Sequence, residues 1–405
     1  MWELIRVNRR NSILLMAVMA GCLVGLGAAL GGGFAGQDGL VGGIAVALAV
    51  WAVLAMISLT AGDQILLSSS QAVPITPEIH PQLFNVVEEL KIAAGLPVLP
   101  KIYMIHDPTL NAFATGRSPK SASVAITSGL LARLNRDELQ GVMAHEISHI
   151  VHRDILFVTL AGVMLGSVVL LSRIFLRSTY YGSMGSRRRY SSRGSQGGAQ
   201  AQAILFVIAI LAAILAPILV QIFYFALSRQ REYLADAGAA RLTRYPEGLA
   251  SALEKIAGNT APLSTANEVT APMYIDTPFR GGRALHLFST HPPVEERIRI
   301  LRSMSQGAAL KDYVKAYRQT MGSETGLPLS VRKDTESVDL RAGSSDRSTP
   351  ANEKTARRQM NDWARRASGF LFLPCSCGVT LKIPPNYSAG NVDCPRCGTR
   401  LTIPR

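Results

Sequence analysis

Charged side chains are scarce in this chain. Only 17% of its 405 residues are Asp, Glu, Lys or Arg, against about 25% in ordinary soluble proteins. Acids are scarcer than bases, 28 against 42, which leaves a net charge of +14. With 48% hydrophobic residues, this composition excludes full disorder, which needs low hydrophobicity. It also argues against a soluble enzyme. Cysteine is scarce too: there are five. Four crowd the C-terminus and Cys22 sits in an apolar run, so they do not form the disulfide framework of a small secreted domain. The 35 glycines follow no triplet repeat, which excludes collagen. No other internal repeat is visible.

What the chain has in abundance is long apolar runs. Ser12–Ala35, Gly39–Gly62, Ile155–Phe175 and Ala203–Leu227 are each long enough to cross a bilayer, which takes about 20 helical residues. The first is too long and Gly-rich for a typical signal peptide and lacks a small-residue cleavage site. It reads with the second as a retained hairpin turning at Gly36-Gln37-Asp38-Gly39. Arg173 makes the third run the weakest, and Pro217 would kink the fourth, which membrane helices tolerate. Arg6, Arg9, Arg10, Arg153, Arg229 and Arg231 flank the spans on one side, which places that side in the cytoplasm. The loop 177–202 opposes this assignment, with Arg177, Arg187, Arg188, Arg189 and Arg193 and no acid. It reads as a solvated Gly/Ser/Arg-rich segment. Its one aromatic residue, Tyr190, does not make a nucleic-acid site.

The reading is therefore an α+β polytopic membrane protein. Residues 1–63 form the first membrane hairpin and 155–227 the second. Residues 64–154 and 228–304 form one mainly helical catalytic domain in two parts. Helix patterns cover Pro81–Ala94, Arg136–His152, Arg229–Leu242, Pro246–Ala257 and Pro293–Ser303. Short β-type runs at Lys101–Ile105, Ala112–Thr115 and Ser123–Thr127 give a small sheet. Residues 305–369 read as a largely disordered polar linker, with a helix at Glu353–Ala367. Residues 370–405 form a separate small unit.

The long helix contains HEISH: His145, Glu146, Ile147, Ser148 and His149. Residues i and i+4 share a helix face, so both histidines can hold one Zn²⁺. Glu146 is then placed to take a proton from a zinc-bound water that attacks a peptide carbonyl. A catalytic zinc needs a third protein ligand, and SRQREYLADAGA offers Glu232. Asp236, one turn on, can accept a hydrogen bond from the far nitrogen of a ligand histidine. His152 reads as a surface residue, because two histidines and a carboxylate already complete the site.

HEISH, REYLAD and STHPPVEER, in this order behind two N-terminal spans, resemble the HtpX family of bacterial membrane zinc metalloproteases. Membrane-embedded prenyl-protein proteases are its eukaryotic relatives. The resemblance spans roughly Met1–Met304. It implies a zincin-type fold with His145, His149 and Glu232 as zinc ligands, Glu146 as base and Asp236 behind a ligand. It further implies Asn111-Ala112-Phe113 as a substrate-binding edge strand, and His291 and Arg297 as residues facing the active site. The implied setting is the bacterial inner membrane. Misfolded or excess membrane proteins would be cut there from the cytoplasmic side. Bottom-up, a peptide could add to Ala112–Thr115 as a strand, and His291 could donate to a developing oxyanion. His291 also reads as part of a helix start, and Arg297 as the partner of a helix-face acid such as Glu295.

Near the C-terminus, Cys375-Ser376-Cys377 and Cys394-Pro395-Arg396-Cys397 are two thiolate pairs, each followed by Gly. They read as a zinc ribbon with a second, structural Zn²⁺. The first pair is one residue shorter than the usual spacing. The HtpX pattern ends without this segment. The expected partners are polypeptides and the lipid bilayer, with no nucleic acid; the sequence leaves the oligomeric state open. Two other functions compete: a narrow processing protease of the prenyl-protein type, and a non-catalytic scaffold recruiting partners through the ribbon. A scaffold has no use for Glu146.

Overall fold

The computed structural model describes residues 2–157, 159–160, 177, 207, 229–259, 292–324, 327, 336–343 and 353–404. The chain opens with helical residues Trp2–Ser69 (α1). They double back on themselves. A Cβ built on Gly27 would lie 2.5 Å from the Gly43 carbonyl oxygen, and one built on Gly31 would collide with the Gly39 carbonyl. A straight helix would separate Gly27 from Gly43 by about 24 Å. The helical run therefore doubles back, reversing between Gly31 and Gly39, and its two arms meet through glycines. Among the described residues, Asp38–Ser69 is the one helix long and apolar enough to cross a membrane. The expected spans Ile155–Phe175 and Ala203–Leu227, with the loop between them, lie almost wholly outside the described residues.

A four-stranded sheet follows, built from β1 (Ala72–Pro74), β2 (Lys101–Ile105), β3 (Ala112–Thr115) and β4 (Ser123–Thr127) in the order β1-β2-β4-β3. β2 and β4 are parallel, while β1 and β3 join antiparallel. Side chains alternate across the sheet as a period of two demands. Ile102, Met104, Ala112, Ala114, Val124 and Ile126 face the main core. Ile105, Phe113 and Ala125 face the other way, onto Leu66 and Leu67 at the end of α1. Arg117 also donates to the Leu59 carbonyl at 2.9 Å. The sheet thus ties the end of α1 to the helical core.

The main core is helical. α2 (Pro81–Ala94) is capped by His80, whose Nδ1 accepts from the Leu83 N–H at 3.1 Å. α3 (Ser128–Arg133) leads into α4 (Arg136–Val151). Asn135 and Glu138 close a capping box at the start of α4, satisfying two N–H groups there. α5 covers residues 229–243, α6 Pro246–Gly258 and α7 Val294–Arg302. α4 and α6 cross where Gly141 meets the backbone of Leu249 and Gly248 meets the Asp137 carbonyl. A methyl group at either position would force them apart.

One expectation fails. The stretch expected to be a largely disordered linker carries α8 (Leu310–Met321). Tyr313, Val314, Ala316 and Tyr317 are buried in the main core. This is the i, i+1, i+3, i+4 pattern of an amphipathic helix, set among polar residues. The catalytic unit therefore runs past residue 304. Residues 336–343 lie extended against it. α9 (Glu353–Ala367) occupies its expected place. Ala356 and Met360 pack on Ala132, and Trp363 tilts against His80 at 4.9 Å. Two hairpins follow, β5 (Leu371–Pro374) with β6 (Thr380–Ile383), and β7 (Asn391–Asp393) with β8 (Arg400–Thr402). The first rests on α9 through the Lys382–Asp362 pair and through Arg366 over the Phe372 ring.

Candidate metal centre

α4 and α5 bring His145, His149 and Glu232 together, with one donor atom from each within 4.8 Å of the others. The two imidazoles meet edge to face, Nε2 to Nε2 at 3.2 Å. Glu232 stands 3.6 Å from His145 Nε2 and 3.7 Å from His149 Nε2. Donors each about 2.1 Å from one tetrahedral ion stand about 3.4 Å apart, so the spacing suits zinc. His145, Glu146 and Glu232 are all buried.

Each imidazole is turned inward by a carboxylate behind it. His145 Nδ1 lies 3.0 Å from Asp236, and His149 Nδ1 lies 2.9 Å from Asp154. An Nδ1–H donated outward leaves the Nε2 lone pair facing the cluster. Asp154 is a residue the sequence reading missed. It follows the helix end, where Arg153 adopts φ 57° and folds the chain back, with the Asp154 N–H on the His149 carbonyl. An acid one turn beyond the second histidine was the available signal.

Arg297 is fully buried and grips Asp236 with both ends of its fork, Nε at 2.8 Å and Nη2 at 2.7 Å. It also reaches Glu232 at 3.4 Å. It pairs with these acids, not with Glu295. His291 lies outside the described residues. His152, expected at the surface, is buried at the C-cap of α4. Burial pushes its pKa down to about 4. The cause is α5, which passes so close that a Cβ on Gly238 would meet Ser148 at 2.5 Å. Asn111, Ala112 and Phe113 are buried, and β3 is the outermost strand of the sheet.

Electrostatics define what the site wants. Burial opposes charge on His149, yet Asp154, Glu232 and Glu146 outweigh it and push its pKa up to about 10. His145 is also raised, because Asp236 and Glu232 overcome burial. Asp236 is held below the usual carboxylate range despite burial, by Arg297 and His145. Among the described residues, Asp154, Glu146, Glu232 and Asp236 thus surround the two imidazoles, and Arg297 pairs with two of them, Asp236 and Glu232. Such a pocket takes up protons or a dication, and its inward imidazole donors favour the dication.

The four C-terminal cysteines form a second cluster, with their Sγ atoms within 4.8 Å of one another. Gly378 and Gly398 take left-handed φ values of 84° and 72°, which close the two knuckles. The shorter first knuckle closes with the Cys375 N–H on Val379, the second with the Cys394 N–H on Thr399. Hydrogen bonds from Thr399 draw the Cys397 thiol down to about 6.

Comparison with known proteins agrees with this geometry. Residues 77–305 match Peptidase family M48. "Protease HtpX homolog" of Dictyoglomus thermophilum is 50% identical over 250 residues, covering 62% of this chain and 78% of the relative. The protein of that name from Ligilactobacillus salivarius is 40% identical over 304 residues, covering 75% of this chain and 100% of the relative. A solved structure, "Crystal Structure of S. mikatae Ste24p", is 21% identical, covering 74% of this chain and 67% of that one, with a TM-score of 0.38. That likeness is too slight to carry an argument. The two HExxH histidines facing a carboxylate from a second helix, and a family match across both, lead to one conclusion: the chain belongs to peptidase family M48, among its HtpX-like membrane-bound zinc metalloproteases.

Proposed function

We propose that this metalloprotease cuts misfolded or excess membrane proteins at the cytoplasmic face of a bacterial inner membrane. The observation that carries the reading is a candidate metal-binding cluster joined, through the sheet, to the apolar helix Asp38–Ser69. His145, His149 and Glu232 hold the zinc ion. Bound there, zinc supplies a Lewis acid that acidifies water and polarises the scissile carbonyl. Glu146 is the general base: it takes a proton from the attacking water and passes it to the leaving amine. Asp236 and Asp154 keep both imidazoles in the donor tautomer, and Arg297 holds Asp236 charged. Arg297 also stands beside Glu232 and His145. His291, in STHPPVEER, donates to the developing oxyanion. A substrate strand lies along β3 beside Asn111, Ala112 and Phe113, with the backbone extended past the metal. That β3 is an edge strand supports this.

Four spans, with both parts of the catalytic domain and the C-terminus in the cytoplasm, follow from the basic flanks. The C-terminal cysteines hold a second, structural zinc, supported by the converging Sγ atoms and the lowered thiol. Purified full chain reconstituted in proteoliposomes tests the reading, with a destabilised membrane protein as substrate. Cleavage is expected within loops on the face that carries the catalytic domain. Cleavage of soluble peptides alone, with the membrane substrate untouched, would overturn the assigned substrate class.

A further inference from the structure

The family match ends at residue 305, but contacts to the metal-site helices do not. Residues 336–343 cross the C-terminal end of α5. The Arg341 N–H donates to the Arg244 carbonyl at 2.9 Å, and Arg244 Nε donates to the Asp339 carbonyl at 2.9 Å. A further bond, from the Ala308 N–H to the Val338 carbonyl at 2.7 Å, holds the crossing segment in place.

The Arg341 side chain joins two helices. Its Nε donates to the Thr243 carbonyl at the end of α5, at 2.8 Å. Its Nη2 donates to Asp137 at 2.8 Å and to Gln140 at 2.7 Å, both in the first turns of α4. A helix end leaves carbonyls without intrahelical partners, and a cation there also opposes the negative end of the helix dipole. An acid in the first turn of α4 complements the opposite pole. One guanidinium therefore links a carbonyl at the end of α5 to two side chains at the start of α4, the two helices that carry the metal donors. On the same unit, α8 buries Tyr313 completely in the main core.

We propose that residues 306–324 and 336–343 are a brace fixing the placement of α4 relative to α5, and that Arg341 is its positioning residue for the metal site. The Gly238–Ser148 contact limits how closely the helices approach. It leaves the crossing angle to be set elsewhere, and Arg341 sets it. Because His145 and His149 stand on one helix and Glu232 on the other, that angle decides whether three donors converge. The proposal rests on these three residues being the metal ligands.

The test uses the full chain loaded with Co²⁺. Thiolates give sulfur-to-cobalt charge-transfer absorption that imidazole and carboxylate donors lack, so the two clusters can be followed separately. In chelator competition, Arg341→Ala should weaken Co²⁺ binding at the imidazole–carboxylate site about tenfold, as loss of outer support does, and shift its visible spectrum. The thiolate bands should not move. Arg341→Lys should fall between, since a single ammonium cannot reproduce the fork. Arg318→Ala, on the exposed side of α8, should match the wild type. A contact that only stabilises the fold would lower Tm yet leave metal affinity and spectrum unchanged; that result for Arg341→Ala overturns the brace. Wild-type protein with no cobalt site beyond the thiolate one would instead overturn the ligand assignment, and the brace with it.

Discussion

Glu146→Gln should abolish peptide-bond hydrolysis while leaving the metal in place. The substitution keeps shape and burial and removes only the proton acceptor. His145, His149 and Glu232, the proposed donor set, are untouched. Loss of a general base costs about 10²–10⁴-fold in rate. Metal analysis and cleavage should be measured on one preparation. The expected pair of results is full occupancy with turnover reduced by at least about a hundredfold. Turnover at the wild-type rate would remove Glu146 from the mechanism.

Glu232→Ala should have the larger effect, because it acts on the metal itself. The wild-type chain is expected to hold two zinc ions, one at the imidazole–carboxylate cluster and one among the four thiols. Removal of Glu232 leaves two imidazoles for the first ion and does not alter the second. The variant should hold one zinc, retained by Cys375, Cys377, Cys394 and Cys397, and should show no cleavage. It also leaves Arg297 with one acid fewer; the bidentate Asp236 pair remains. Two zinc ions with normal cleavage in this variant would mean that the third ligand is elsewhere. One zinc in the wild type, with the four thiols reactive, would show that the ribbon holds none.

Three of the four sheet strands and the two donor helices were legible because their signals are local; β1, Ala72–Pro74, is too short to show a period. A period of two marks Lys101–Ile105 and Ser123–Thr127, and the i, i+4 spacing marks His145 with His149 and Glu232 with Asp236. The residues that were missed or misplaced depend on what packs against them. His152 is polar and sits at a helix end, which reads as surface until α5 passes at Gly238. Asp154 reaches His149 only because Arg153 turns the chain with a left-handed φ, a conformation that no residue type announced. The pairing of Arg297 joins α7 to α5 across 61 residues, beyond the reach of any helical period. α8 was hidden by its composition: Lys311, Asp312, Lys315, Arg318 and Gln319 surround an inward face of Tyr, Val and Ala. A polar average then looks like a linker. The two apolar arms of α1 were legible as apolar runs; that glycines form their contact is a property of the packed pair.

Zinc removal and return tests the central claim most directly. Full-length protein in detergent is stripped with a chelator, and the imidazole–carboxylate site is monitored for loss of metal. Cleavage of an unfolded polypeptide is then followed as Zn²⁺ is added back. The stripped protein should not cleave, and activity should return in step with refilling of the site formed by His145, His149 and Glu232. Undiminished cleavage by protein whose His145–His149–Glu232 site is empty would contradict the assignment of this chain's chemistry to that site.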